Sequence, residues 1–168
     1  IISVLLSLQA SAEKIQGTLS LTKPSMDAVC IYDTEAKTAT LGNGYTTCIK
    51  TTCQGEVEIP GAVTYQEVAY KVAVGQFAFR LCEEVTKVTV GEGVEHIGDF
   101  AFVGCAKITE IVLPSTLKTI GAGAFCNMKN LFTIRCNATT APTWQWNDVF
   151  SPLGTKESMH KKSLSSKL

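Results

Sequence analysis

The chain repeats itself at a fixed offset, and this limits its fold more than any other feature. Val74-Gly75-Gln76-Phe77-Ala78-Phe79-Arg80-Leu81-Cys82 lies over Ile97-Gly98-Asp99-Phe100-Ala101-Phe102-Val103-Gly104-Cys105, and that block lies over Ile120-Gly121-Ala122-Gly123-Ala124-Phe125-Cys126-Asn127-Met128. Each copy follows the last by 23 residues. Lys87–Val90, Glu110–Leu113 and Thr133–Cys136 recur in the same register. A period of roughly 20 to 50 residues marks a solenoid. One unit of this length cannot bury its own apolar face, so units must stack and share one core. The Ile-Gly pair suits a strand end running into a turn, where glycine permits either positive φ or close backbone approach. The Ala-Phe pair sets a small residue and a ring at fixed depth. The Cys or Met three places on is an apolar plug.

The 168 residues suit one domain with a sizeable core. Formal net charge is zero, which speaks against a general nucleic-acid binder, since such a protein carries a surplus of cations. Lys156, Lys161, Lys162 and Lys167 against Glu157 make the C-terminal stretch basic.

Ile1–Leu8 is apolar, of signal-peptide length and too short to span a bilayer, and Ala10-Ser11-Ala12 follows as a cleavage signal. Residues 1–12 are therefore expected to be the remnant of a secretory signal peptide, the alternative being a plain N-terminal strand or helix. Residues 13–28, broken at Lys23-Pro24-Ser25, form the expected linker. Val29–Tyr32 and Lys37–Leu41 look like a hairpin joined by Asp33–Ala36, placed to cover the open core of the first coil. Glu56–Pro60 is a degenerate first repeat strand. Val57 lies 31 residues before Val88 instead of 23, so about eight residues are inserted near Val63–Lys71. A last partial unit begins at Phe132 and closes with Asn137–Trp144. Trp144 and Trp146, with Pro142, either cover the last coil or stack on sugar. The repeat domain with its hairpin cap spans 29–150, and 151–168 is expected to be a basic, disordered tail.

Alternate side chains of a strand point to opposite faces. Val88/Val90, Ile111/Leu113 and Ile134/Cys136 point inward, so their neighbours point out. Stacking then builds two columns, Glu56, Lys87, Glu110, Thr133 and Glu58, Thr89, Val112, Arg135. These eight residues are the candidate ligand face, or else a merely solvated sheet face. Opposite charges alternate along the first column, which lowers repulsion between strands.

Seven cysteines in an exported chain raise the question of disulfides. Cys82 and Cys105 occupy the repeat's interior plug and are expected as buried thiols, because Met128 takes the same place. Cys48 and Cys53 share a loop and are the better disulfide candidates, with Cys30 a partner for either. No paired metal-ligand spacing accompanies Cys48 and Cys53, so no zinc site is expected. The histidines are His96, expected to point outward beside Ile97, and His160. A Cys–His hydrolase has little support, and no phosphate-cradling glycine loop or serine-nucleophile motif is present. Asp99 suits turn chemistry better than catalysis. Hence no cofactor, no metal and no catalytic residue is expected.

Ile97, Gly98, Ala101, Phe102, Cys105, Ile111, Leu113, Pro114, Ile120, Gly121, Ala124 and Phe125 spell a unit that resembles the BspA-like leucine-rich repeat family. The resemblance covers roughly 29–150. It implies a right-handed leucine-rich repeat solenoid of short parallel strands, turns and short helical segments. It also implies a secreted or cell-surface, non-catalytic, adhesin-like module whose partner is a host or bacterial surface protein or a glycan. No nucleic acid and no stable membrane span in the mature chain are expected. The alternative is a truncated structural segment of a larger surface protein with no ligand of its own.

Overall fold

A computed structural model describes residues 13–144, Trp144 by its backbone alone. The expected signal-peptide remnant 1–12, Trp146, His160 and the expected tail 151–168 lie outside the described residues, as does the side chain of Trp144. Twelve strands are present: β1 (Lys14–Leu21), β2 (Met26–Asp33), β3 (Thr38–Leu41), β4 (Gly55–Ile59), β5 (Ala62–Tyr65), β6 (Val68–Val74), β7 (Val85–Val90), β8 (His96–Ile97), β9 (Glu110–Leu113), β10 (Thr119–Ile120), β11 (Thr133–Cys136) and β12 (Thr143–Trp144).

They form two sheets. The larger runs β1-β2-β3-β6-β8-β10-β12, with β5 also on β6, and the smaller runs β11-β9-β7-β4. The expected hairpin is present as β2 and β3, paired antiparallel from Cys30↔Leu41 to Asp33↔Thr38. β3 then lies parallel to β6, so the antiparallel N-terminal strands continue directly into the parallel stack. The stretch 13–28 is not a linker. It holds β1 and the start of β2, paired from Lys14↔Asp33 to Leu21↔Met26, because Leu19, Leu21 and Ala28 alternate with polar residues and are buried in the common core. The proline that breaks this stretch sits in the turn between the two strands.

The insertion in the first coil is itself a hairpin. β5 pairs antiparallel with the first half of β6, from Ala62↔Lys71 to Tyr65↔Val68. Gln66 and Glu67 turn it with φ of 47° and 63°, the backbone of a two-residue turn that usually takes Asn and Gly. Packing supports the choice, since the Tyr65 ring stacks on Tyr32 at 4.2 Å and Tyr70 meets Tyr32 edge-on at 5.0 Å.

Each regular coil runs from a strand of the smaller sheet, through a short strand of the larger one, to a block of turns on a third side. No helix occurs among the described residues, against the expectation of short helical segments. Alternate amides of the turn blocks bond between coils instead. Phe77, Phe79 and Leu81 donate to the carbonyls of Asp99, Ala101 and Val103 at 3.1, 2.7 and 2.9 Å. Phe100, Phe102 and Gly104 donate to Ala122, Ala124 and Cys126 at 2.9, 2.9 and 3.0 Å. A helix would need those same amides for its own carbonyls. Positive φ at Phe77, Phe100 and Gly123, and again at Leu81, Gly104 and Asn127, also interrupts any helical run.

The glycine of the Ile-Gly pair serves close approach and not positive φ. A Cβ on Gly98 would stand 2.7 Å from the Gln76 amide nitrogen, so a side chain there would push the coils apart. Behind it, Phe79, Phe102 and Phe125 form one buried file. Their rings stack at 5.0 and 5.9 Å, with interplanar angles of 9° and 24°. Cys82, Cys105 and Met128 plug the same depth in successive coils.

Candidate ligand face

The outward residues of the smaller sheet fall into the two expected columns. Glu56 pairs with Lys87, Lys87 with Glu110 and Glu110 with Thr133. Glu58, Thr89, Val112 and Arg135 stand beside one another in the second column. All eight are exposed or half-buried, while Val57, Val88 and Ile111 on the opposite face are fully buried. The alternation of the strands thus separates core from surface residue by residue.

The charges on this face bind one another. Glu110 accepts from Lys87 at 3.1 Å and from Nε of Arg135 at 2.6 Å, so it ties the two columns together. Glu56 accepts from Lys23 Nζ at 2.5 Å. The Lys23 hydrogen bond is the main cause that holds the Glu56 carboxyl below the usual carboxylate range, with Lys87 assisting. Sequence reasoning missed Lys23. It reaches the face because the β1–β2 turn lies along the edge of β4, where the Glu58 amide donates to the Lys23 carbonyl at 2.7 Å. That contact also covers part of the sheet edge, which exposed strands need.

The larger sheet carries a second face that the sequence did not announce. Its outward row reads Gln16, Ile31, Thr40, Ala73, His96, Thr119, Thr143 across seven strands, and none of these is formally charged at neutral pH. His96 points outward as expected, with Nδ1 2.8 Å from the Thr119 hydroxyl. Beside the row, Glu95 accepts from Lys118 at 2.6 Å and from Lys71 at 3.0 Å, and these two bonds pull its pKa down to about 2. β8 and β10 are each two residues long, so no alternation existed in which to see this face. Asp99 does turn chemistry, its carboxylate accepting from the Ala122 amide at 2.8 Å.

Cys30, Cys48, Cys53, Cys82, Cys105 and Cys136 are thiols outside any disulfide. Burial pushes Cys82 and Cys105 up to about 12, and the Cys105 thiol donates to the Phe79 carbonyl at 2.9 Å. Cys48 and Cys53, the better disulfide candidates, are separate buried thiols. Burial raises both pKa values, and the Cys48 backbone links the neighbouring elements, its amide donating to Ala78 and its carbonyl accepting from Val29, both at 2.7 Å. Among the described residues, no group of three His, Cys, Asp or Glu side chains could hold a metal ion, and no helix is long and apolar enough to cross a membrane.

Comparison with known families matches the BspA type leucine rich repeat region to residues 56–145, in six copies. No curated protein matches the chain. Among solved structures, a leucine rich cell surface protein from Faecalibacterium prausnitzii is similar over 76% of this chain and 31% of its own, at 22% identity and a TM-score of 0.54. The pneumococcal vaccine antigen PcpA matches over 77% of this chain and 40% of its own, at 17% identity and a TM-score of 0.48. A leucine-rich repeat protein from Bacteroides ovatus matches over 82% and 37%, at 23% identity and a TM-score of 0.39. The chain thus spans well under half the length of each of these structures.

Proposed function

We propose, from the premise that this chain belongs to the BspA-type leucine-rich repeat family, that it is a non-catalytic binding module of a bacterial surface or secreted protein. In this reading 29–150 is a right-handed solenoid of 23-residue units, capped by the β2–β3 hairpin and exported by the signal peptide whose remnant is 1–12. Its ligand is a surface protein or glycan, and its ligand face is the strip Glu56, Glu58, Lys87, Thr89, Glu110, Val112, Thr133 and Arg135. The supporting observation is the straight register of these eight side chains over an inner face that is fully buried at Val57, Val88 and Ile111. Side chains on such a scaffold lose little freedom on binding, which favours affinity from a small footprint.

Binding of the purified chain to a panel of host matrix proteins and a glycan array tests the role. Lys87→Glu with Arg135→Glu tests the strip, because it reverses both cations on Glu110. Loss of affinity for a confirmed ligand supports the strip, and unchanged affinity dismisses it. A second reading is a structural segment of a larger surface protein. The mutual pairing of the strip's charges favours it, since a solvated face needs only that. Binding to nothing on either panel would select it.

A further inference from the structure

We propose that the groove beside the inserted hairpin binds an acidic saccharide, with its anionic group at Lys37 and Lys71 and its ring hydroxyls along Thr40, His96 and Thr119. This rests on the binding-module role above, but it puts the ligand on the larger sheet.

The groove exists because the first coil departs from the repeat. The β5–β6 hairpin stands against the second coil at Gly91–Gly93, where a Cβ on Gly91 would lie 2.8 Å from the Gly61 nitrogen. The Tyr65–Tyr32 stack fixes the hairpin from the other side. Between them the lining is small: Ala62, Ala69, Ala73 and Gly93 leave a hollow of about 470 Å³. A second hollow of about 400 Å³ continues from it, sharing Ala73 and His96 and reaching Thr40, Thr119 and Asp99. Cavities of roughly 300 to 1,000 Å³ are the usual size for small ligands.

The charges give the groove a direction. Lys37 is exposed, makes no ion pair among the described residues, and holds its ammonium 5.7 Å from the Tyr70 ring centroid. Lys71 is 67% exposed at its side chain and shares the single carboxylate of Glu95 with Lys118. Lys37 and Lys71 both line the hollow, and Glu95 is the one carboxylate among its lining residues. At the far end, Asp99 is held by the Ala122 amide. The middle has no carboxylate or ammonium and offers the Thr40 and Thr119 hydroxyls and the His96 imidazole. These both donate and accept, as sugar hydroxyls do. A carboxylate or sulfate ester at the hairpin end would gain charge-assisted hydrogen bonds from Lys37 and Lys71. The strip on the smaller sheet offers no such surplus, because Lys23, Lys87 and Arg135 are all paired with its glutamates.

Titration calorimetry on the full chain tests this with three probes: a heparin-derived hexasaccharide, an oligogalacturonate and cellohexaose. The acidic probes should bind, and cellohexaose should bind at least about tenfold more weakly, the equivalent of one charge-assisted contact. Lys37→Gln with Lys71→Gln should weaken the acidic probes by about tenfold or more and flatten their salt dependence. Lys37→Gln alone avoids disturbing Glu95 and should give part of that loss. Ala73→Phe should block all saccharide binding, with the melting temperature as the check on folding. Lys87→Glu with Arg135→Glu should change nothing. No binding of either acidic probe, equal binding of cellohexaose, or loss caused only by the strip variant would overturn the assignment. In the last case the binding-module role itself survives.

Discussion

The ring of Phe100 lies over Gly123. A Cβ on Gly123 would stand 2.5 Å from Phe100 Cδ1, and Gly123 has φ of 60°. The same position in the preceding coils is Phe77 and Phe100, whose rings stack at 5.7 Å, so glycine ends an outer aromatic file where the next ring would collide. Gly123→Ala should therefore destabilise the fold by about 2 kcal/mol, from left-handed backbone strain plus displacement of the ring. Urea unfolding of the single variant and of Gly123→Ala with Phe100→Ala checks this. The double variant should lose less than the sum of the two singles.

Phe102 sits between Phe79 and Phe125 in the inner file and is fully buried. Phe102→Ala should cost about 3 to 5 kcal/mol, the range for emptying a packed aromatic site. Chemical denaturation followed by tyrosine fluorescence or circular dichroism measures it. A loss under about 1 kcal/mol would mean the file does not hold the coils together.

Glu110 is the acceptor for both Lys87 and Arg135. Its partners lie at the surface, where such pairs contribute about 0.2 to 1 kcal/mol each. Glu110→Gln removes both pairs and should accordingly lower stability by no more than about 2 kcal/mol, and the loss should shrink in high salt. A double-mutant cycle with Arg135→Gln reads the coupling directly.

The acid limb of stability should be governed by Glu95, Glu56 and Glu92. Lys118 and Lys71 hold Glu95 at about 2, Lys23 lowers Glu56, and the Ser115 amide and hydroxyl lower Glu92. A carboxyl whose folded pKa is depressed adds stability above its unfolded value, near 4.3, and loses it as pH falls toward the folded value. Stability should therefore decline between about pH 5 and pH 2, and Glu95→Gln should make that decline shallower. Melting temperatures measured across this range, for both proteins, check the slope.

Thiol reagents at pH 8 should leave Cys82 and Cys105 unmodified in the folded chain, since burial has pushed both up to about 12. Labelling should appear only with unfolding in urea. Rapid native labelling of either would contradict the packing described for the plug positions. The sign runs opposite to that of the glutamates. Stability from these neutral thiols is complete below their unfolded value and is lost as pH rises from about 8.5 toward 12.

Much of the stack was legible because its residues obey two simple periods. Val88, Ile111 and Ile134 alternate with Lys87, Glu110 and Thr133, so inward and outward columns followed from pleat geometry. Phe79, Phe102 and Phe125 shared one offset, so their file followed from stacking. What failed had no local period. The family resemblance implies short helical segments, yet alternate amides of the turn blocks bond to the next coil, a contact that propensity along the chain does not encode. The stretch around Pro24 looked like a linker because its strands are polar on one side and the proline marks their turn, not their end. The groove depends on Lys37 and Lys71 meeting Glu95 and His96 across the inserted hairpin, residues that share no motif.

The turn-block amides that bond between coils all face the same way, from Phe77 toward Asp99 and from Phe100 toward Ala122. The spine therefore has a head and a tail. Whatever packs before the first block has to bring donors, as the Cys48 amide does for Ala78. Two such molecules brought head to head would set like groups against like, so any fibre or tandem array extended along this ladder must grow in a single sense.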